Sequence, residues 1–413
     1  MWYRLRLLAV VVVALSSAVI PARGAAPEDG AVSPLLIISL DAFRWDYCEL
    51  HPAETPNLRR LKAEGASARG LIPTFPSNTF PNHYTIVTGL RPAHHGILNN
   101  NFFDPQTGQF FSNTLPMAVR DSRWWGGEPI WSTAVKQGRK SACSFWPGSE
   151  AEISGVRPSY WKVFNSTEPF EKRLEEVVAW LQLQPESRPE LVTFYLEETN
   201  AAGHRYGPDA PETVAAIKLL DTRVGALLER LAAVGVSPNV VVVSDHGMTR
   251  VATDRCFALD DYLDLNGVQI DFYGPVCGLR STGDGSSAAL FEKLKALPPC
   301  LKVLRVEDLP TRFHLTANLR LPPIWVLPEE GGWIGTRNSL EAWLKRTRGE
   351  HGYDPELVDM RGTLIVHGPA FRSDGAVIDP VENIHLYDLF CAILHLTPAA
   401  NDGDDRLSKA FLK

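Results

Sequence analysis

Three stretches of the chain are apolar almost without interruption, and each ends in polar groups able to bind a ligand. LLIISLD (35–41) closes on Asp41, LVTFYLEETN (191–200) on two acids and Asn200, and NVVVVSDH (239–246) on Asp245 and His246. Runs of this kind suit parallel strands buried on both faces, because a half-exposed strand alternates apolar and polar residues. Between the runs the period becomes helical. FEKRLEEVVAWL (170–181) puts Phe170, Leu174, Val177, Val178 and Leu181 on one stripe. DAPETVAAIKLLDTRVGALLERLAAVG (209–235) is longer; Asp209 and Glu212 have the spacing of a capping box, and Gly235 is placed to stop the helix. Alternating strands and helices predict an α/β fold, with a mostly parallel central sheet covered by helices on both faces.

In such sheets, ligands bind beyond the carboxyl ends of the strands. One acid at a strand end is ordinarily a helix cap. Two acids and an amide at three strand ends, with histidines beside them, read as a site. Residues from about 250 to 345 break the rhythm. There VQIDFYGPVCGLR (268–280), AALFEKLKAL and LKVLRVEDLP (301–310) predict a small inserted α+β subdomain, strand–helix–strand. LRLPPIWVLPEEGGW (319–333) is rich in Pro and Gly and reads as a surface segment. TLIVHGPAF (363–371) reads as a return strand and HLYDLFCAILHL (385–396) as a closing helix.

The chain opens MWYRLRLLAVVVVALSSAVIPARGA. Arg4 and Arg6 precede an apolar stretch from Leu7 to about Ile20, and small residues follow at Ala22–Ala25. That order predicts a signal peptide over 1–24, cut near Gly24 or Ala25. The stretch is short for a membrane span, and no later segment is long and apolar enough to be one. The expectation is an exported protein, periplasmic or secreted, with 25–413 as a single domain; tethering by an uncleaved anchor is the alternative. Hydrophobic content of 45% is ample for a core. A net charge of −7 argues against a nucleic-acid duplex as partner but leaves room for a small anionic substrate held by a local cation. None of the six cysteines forms a CxxC pair, which argues against a thiolate zinc site. Export permits disulfides, and Cys277 with Cys256 or Cys300 is the favoured local pair. Cys391, in an apolar helical pattern, reads as a buried thiol.

PSNTFPNHYTIVTG (76–89) begins as a loop and ends as a helix. Thr79 therefore has two readings. It can cap the helix, with Pro81 tolerated in the first turn, or its hydroxyl can be a nucleophile, because a helix N-terminus favours both an alkoxide and a phosphate. His246 adjoins Asp245, His204 lies four residues after Asn200, and His351 stands between glycines in GEHGYD. Imidazole and carboxylate groups without thiolates suit zinc, though other divalent ions fit them as well. His51, His83, His94, His95, His314, His367, His385 and His395 read as surface or hydrogen-bonded core histidines.

These segments, with SLDAFRWDY, TPNLRRL, TFPNHYTIVTGLRPAHHGILNN, FWPGSEAEISGVRPSYWK, GHRYGP, VVVSDHGM, GEHGYD and IHLYDLFCAILHLTP in order, make the chain resemble the nucleotide pyrophosphatase/phosphodiesterase family of the alkaline phosphatase superfamily. The resemblance covers essentially all of 25–413. It implies two zinc ions about 4 Å apart. One would be held by Asp41, Thr79, Asp245 and His246, the other by the position of Asn200 with His204 and His351. It implies Thr79 as nucleophile, a phosphothreonine intermediate, and Asn100 as hydrogen-bond donor to a non-bridging phosphoryl oxygen. Phe80 and Tyr195 match positions lining a nucleobase or leaving-group pocket, with Tyr160 or Trp161 as the opposite wall. The implied activity is zinc-dependent hydrolysis of phosphodiester or pyrophosphate bonds in nucleotides, releasing nucleoside monophosphates. The alternatives are a lipid phosphodiesterase or a phosphate or sulfate monoesterase of the same superfamily, and a metal-deficient, non-catalytic binding protein.

The sequence departs from the family at Asn200, where members normally carry Asp. Asn offers a neutral oxygen, so either Asn200 ligates more weakly or Glu198 moves in; a solvated strand-end acid is the favoured reading of Glu198. Ala42 replaces the Gly common in SLDG, a change expected to be minor. NST at 165–167 is a glycosylation sequon in a host that uses such sites.

Overall fold

Each of the three apolar runs forms a strand, and the three lie side by side. The computed structural model describes residues 33–413 except 284, 316 and 317; the expected signal peptide lies outside the described residues. In chain order come strand β1 (Leu35–Leu40), helix α1 (Pro56–Glu64), strand β2 (Ala66–Ala68) and helix α2 (Thr79–Thr88). Helix α3 (Ile130–Lys136), strands β3 (Ser141–Ser144) and β4 (Tyr160–Trp161), and helix α4 (Phe170–Leu181) follow. Next are β5 (Leu191–Leu196), α5 (Glu198–Tyr206), α6 (Pro211–Ala233) and β6 (Asn239–Val243). Then β7 (Val268–Phe272), β8 (Cys277–Ser281), α7 (Ser287–Leu294), β9 (Leu301–Arg305) and β10 (Ile324–Pro328) follow, the strands forming a separate four-stranded sheet. Strands β11 (Leu364–His367) and β12 (Ala376–Ile378) and helices α8 (Leu386–Ile393) and α9 (Arg406–Phe411) end the chain.

The main sheet has the order β12-β2-β11-β6-β1-β5-β3-β4. β1 runs parallel to both neighbours, with Leu35 opposite Leu191 on β5 and Asn239 on β6. Only β11 runs against the rest. Alternate side chains of β1 feed two cores, as a strand covered on both faces requires. Leu35 and Ile37 pack with residues of α2, α3 and α8; Leu36, Ile38 and Leu40 pack with α1, α4 and α6. The predicted α/β fold is the one observed. The stripe on α4 is buried in full: Phe170, Leu174, Val177, Val178 and Leu181.

Several local expectations are corrected. Helix α6 starts at Pro211 with Ala210 as N-cap and no side-chain cap. Asp209 turns to Arg250 at 3.0 Å instead, and Pro at the first helical position makes a capped amide there unnecessary. Gly235 does follow the helix end with φ 77°. The segment 319–333 does not wind along the surface. Its apolar centre is β10, an interior strand of the antiparallel sheet β7-β8-β10-β9, with Ile324, Trp325 and Val326 buried. The prolines bound this strand and do not interrupt it. All six cysteines are free thiols, so neither Cys277 pairing forms. Cys277 is buried in β8 among Leu259, Leu279 and Leu290, and Cys391 is buried in α8 as expected.

Candidate active site

Asp41 follows β1, and Asp245 and His246 follow β6, so neighbouring strands deliver them to one edge of the sheet. All three are buried. The chain leaves β1 through Ala42 at φ 55°, in the left-handed region, and the Ala42 N–H donates to Asp245 Oδ1 at 3.2 Å. This turn explains why a Gly suits the position, and it ties the two acids together.

Thr79 is the first residue of α2 and not its cap. Asn78, in extended backbone, holds the cap position, and its side chain donates to Asn99 Oδ1 at 2.7 Å. Because Thr79 is already helical, its hydroxyl does not turn back on its own helix. Its Oγ1 lies 3.2 Å from His246 Nε2. Asn200 is also displaced from its expected place. The strand stops at Leu196, and Asn200 sits in the first turn of α5. His204 is one turn further on the same face. Glu198 opens that helix and is ion-paired with Arg223, so it is neither a solvated strand-end acid nor a substitute for Asn200.

Three imidazoles converge here in one tautomer. His246 Nδ1 donates to Gly247 O (2.8 Å), His204 Nδ1 to Gly349 O (3.0 Å) and His351 Nδ1 to Ser77 O (3.0 Å). A carbonyl accepts only, so in each ring, when neutral, the other nitrogen, Nε2, keeps a lone pair. The Nε2 atoms of His204 and His351 face one another at 3.1 Å. His246 Nε2 lies 3.0 Å from Asp245 Oδ2 and 3.6 Å from Asp41 Oδ1. Asp41 Oδ1 and Asn200 Oδ1 are buried without a hydrogen-bond partner. Acceptors aimed at acceptors in a buried place are costly unless a cation lies between them. The donor set therefore fits metal. Asp41, Asp245 and His246 form one cluster able to hold an ion. His204, His351 and Glu350 lie close enough to form another, but Glu350 approaches His204 from its Nδ1 side, behind the two Nε2 atoms that face one another. The rings of His246 and His351 stack at 3.6 Å, so the two clusters adjoin.

The electrostatics show the same demand for positive charge, here met by protons on the imidazoles. Burial, reinforced by Asp245, pushes the Asp41 carboxyl well above its ordinary range. Burial acts the same way on Asp245, but His246 and His83 outweigh it and hold Asp245 well below. Burial, with His246 and His204, pushes His351 well below its ordinary value and keeps it neutral.

A cavity of about 470 Å³ opens over the clusters. Asp41, Thr79, Asn100, Asn200, His204 and His351 line its polar end. Asn100 Oδ1 accepts from the Phe80 N–H at 2.8 Å, which leaves its Nδ2 as donor. Phe80 and Tyr195 both line the cavity, but the Tyr195 hydroxyl is committed to Asp41 Oδ2. Tyr160 and Trp161 do not line it. They form edge strand β4, where Tyr160 stacks on Trp180 and Trp161 lies under Arg157. The wall comes three residues later, from Phe164 with Phe145 and Val163. Glu150 fixes that wall by accepting the Phe164 N–H at 2.9 Å.

Two further residues support the ligand set. His83 is a hydrogen-bonded core histidine, as expected: its ring meets Ser39 Oγ at 2.8 Å and donates from Nδ1 to Thr79 O at 2.9 Å, and that same nitrogen lies 3.2 Å from Asp245 Oδ2. Its helical spacing of four from Thr79 was the available signal. Glu350 accepts the His351 N–H at 3.1 Å and the Trp343 indole at 2.9 Å, and lies 3.7 Å from His204 Nδ1.

Residues 35–354 match the type I phosphodiesterase / nucleotide pyrophosphatase family. Venom phosphodiesterases of Macrovipera lebetinus and Naja atra are 37% and 36% identical over 390 residues, covering 91% of this chain. The chain spans about half their length, 45% and 46%. A Schizosaccharomyces pombe protein named as a pyrophosphatase/phosphodiesterase is 37% identical over 90% of this chain and 79% of its own length. Murine ectonucleotide pyrophosphatase/phosphodiesterase 5 superposes with a TM-score of 0.87 at 32% identity, over 92% of this chain and 100% of that one. An inactive variant of that murine protein is also known in complex with AMP, with the same coverage and TM-score. With this match of sequence, fold and acidic–histidine clusters, the chain belongs to the type I phosphodiesterase / nucleotide pyrophosphatase family.

Proposed function

We propose that residues 25–413 form one catalytic domain of an exported enzyme that hydrolyses phosphodiester or pyrophosphate bonds of nucleotides and releases nucleoside monophosphates. The carrying observation is the set of lone pairs and unpartnered oxygens that converge beside the Thr79 hydroxyl. Asp41, Thr79, Asp245 and His246 would hold one zinc ion, and Asn200, His204 and His351 a second. When bound, such a pair acts as a Lewis acid and lowers the pKa of a coordinated hydroxyl or water.

The chain's own groups account for the rest. Thr79 Oγ attacks phosphorus, forming an Oγ–P bond as the bond to the leaving oxygen breaks. Water then cleaves the phosphothreonine and releases the monophosphate. The first turn of α2 favours negative charge on the phosphoryl group. Asn100 Nδ2 donates to a non-bridging oxygen, and the bond from Phe80 N to Asn100 Oδ1 fixes that amide's orientation. Tyr195 and the Ala42 turn hold Asp41 and Asp245 in place. Phe80 and Phe164 offer aromatic faces for a planar base, where stacking contributes about 1–3 kcal/mol per base. The AMP complex of the murine relative supports a nucleotide, and the venom relatives support export. Among the described residues no helix is long and apolar enough to cross a membrane.

The test is a zinc count per chain together with hydrolysis of p-nitrophenyl thymidine monophosphate, p-nitrophenyl phosphate and a lysolipid diester. Two zinc ions and preference for the thymidine ester are expected, with turnover abolished by a chelator and restored by zinc. Preference for the lysolipid or the monoester would overturn the nucleotide assignment. Turnover that survives complete removal of metal would overturn the mechanism.

A further inference from the structure

A second depression lies beside the catalytic cavity, and His204 borders both. It forms where the end of α5 meets the segment leading to His351. The two backbones approach closely because Gly349 has no side chain: a Cβ there would lie 2.5 Å from the Gly203 carbonyl oxygen. The Arg348 N–H closes the junction by donating to His204 O at 2.6 Å. The resulting bowl, about 530 Å³ and open to solvent, is lined by Arg205, Lys345, Arg346 and Arg348.

These four cations are unlike others nearby. Arg250 is paired with Asp209, Arg223 with Glu198 and Arg337 with Asp261. None of the four in the bowl has an ion pair with a carboxylate among the described residues. In a chain of net charge −7 this is a local excess of positive charge that no ion pair among the described residues neutralises. Two of the four side chains are also held in place. Arg348 Nη1 donates to Leu344 O and Thr347 O at 2.7 and 2.8 Å, and the Arg205 guanidinium lies over the Tyr206 ring at 5.3 Å. Held guanidinium groups lose less freedom when they bind an oxyanion.

We propose that this bowl binds phosphate groups on the departing part of the substrate, beyond the bond that is cleaved. The inference rests on the functional reading above, in which His204 belongs to the half of the site that faces the leaving oxygen. The ligand class is a leaving group that itself carries phosphates: the polyphosphate tail of a nucleoside triphosphate, or the following phosphates of an oligonucleotide. A leaving group without phosphate makes no use of the bowl.

The experiment compares kcat/KM of the full-length, zinc-loaded enzyme on p-nitrophenyl thymidine monophosphate, ATP and a thymidine trinucleotide. The variant is the triple substitution Arg205→Gln, Arg346→Gln and Arg348→Gln. A loss of about tenfold or more on ATP is expected, mainly through KM, with the p-nitrophenyl ester unchanged within about twofold. The ester doubles as the control for folding and metal loading. Raising NaCl from about 50 to about 500 mM should shrink the difference between wild type and variant. A loss on ATP alone assigns the bowl to polyphosphate tails; a loss on the trinucleotide alone assigns it to strand phosphates; a loss on both assigns it to both. Equal losses on all three substrates, or no loss on any, overturn the proposal. Wild-type turnover of the ester alone overturns it while leaving the phosphodiesterase reading standing. Absence of turnover on all three defeats that reading, and this one with it.

Discussion

The two halves of the candidate site are built differently. The first half, Asp41, Asp245 and His246 beside Thr79, hangs from adjacent parallel strands and is buried throughout. It contains two carboxylates. The second half, Asn200, His204 and His351, is mounted on one face of α5 and on the segment after Gly349. Its inner groups are two imidazoles and an amide, with no carboxylate among them, and the His204 side chain remains about one-third exposed. The first half can balance the charge of a divalent ion with its own ligands. The second relies on Glu350, which stands behind His204 and His351 without entering the converging set. A metal ion in the second half is therefore expected to bind more weakly and leave first.

The largest expected effect separates the halves by role. Thr79→Ala removes the hydroxyl beside His246 but leaves Asp41, Asp245 and His246 in place. Turnover of the thymidine ester should fall by about a thousandfold or more, while both zinc ions remain. Steady-state kinetics with zinc analysis on the same sample checks this. Residual activity within about tenfold of wild type would remove Thr79 from the role of nucleophile.

The next prediction addresses the difference in charge. Asn200→Asp should tighten the weaker zinc about tenfold, and Glu350→Gln should loosen it by about the same factor. Combined, they should return close to wild-type affinity, because one negative charge moves from behind the ligands into their midst. Competition with a zinc-binding dye measures each step. If Glu350→Gln is harmful but Asn200→Asp does not rescue it, Glu350 acts through packing against Trp343 and not through charge.

The two halves were also unequally legible in the sequence. Asp41, Asp245 and His246 end continuous apolar strands, and burial on both faces dictates such strands wherever they occur. Asn200 was misplaced because the strand signal of LVTFYL runs straight into an acidic helix start, and local pattern alone does not mark where one becomes the other. Thr79 looked like a cap because Thr commonly caps, yet Asn78 before it took the extended conformation. The aromatic wall went to Phe164, and Tyr160 and Trp161 to the sheet edge, because Glu150, fourteen residues away, anchors the Phe164 amide. β10 was hidden by its flanking prolines. Such outcomes depend on tertiary partners, and a window of neighbouring residues does not contain them.

The smallest expected effect lies in the better-built half. Ala42 sits at φ 55° between Asp41 and the strand-to-helix turn, and its N–H is spent on Asp245. A left-handed conformation costs an L-residue with a Cβ about 1–2 kcal/mol, a penalty Gly escapes. Gly in turn loses about 0.5–1 kcal/mol through its more flexible unfolded chain. Ala42→Gly should therefore raise the stability of the zinc-free protein by roughly 0.5–1 kcal/mol in urea denaturation. Zinc affinity of the first half should stay unchanged, because the hydrogen bond to Asp245 is a backbone bond and survives the substitution. A drop in that affinity would mean that the Ala42 methyl group, buried against its neighbours, helps hold the two carboxylates in position. The rigidity of the first half would then come partly from side-chain packing around the turn, and not from the strands alone.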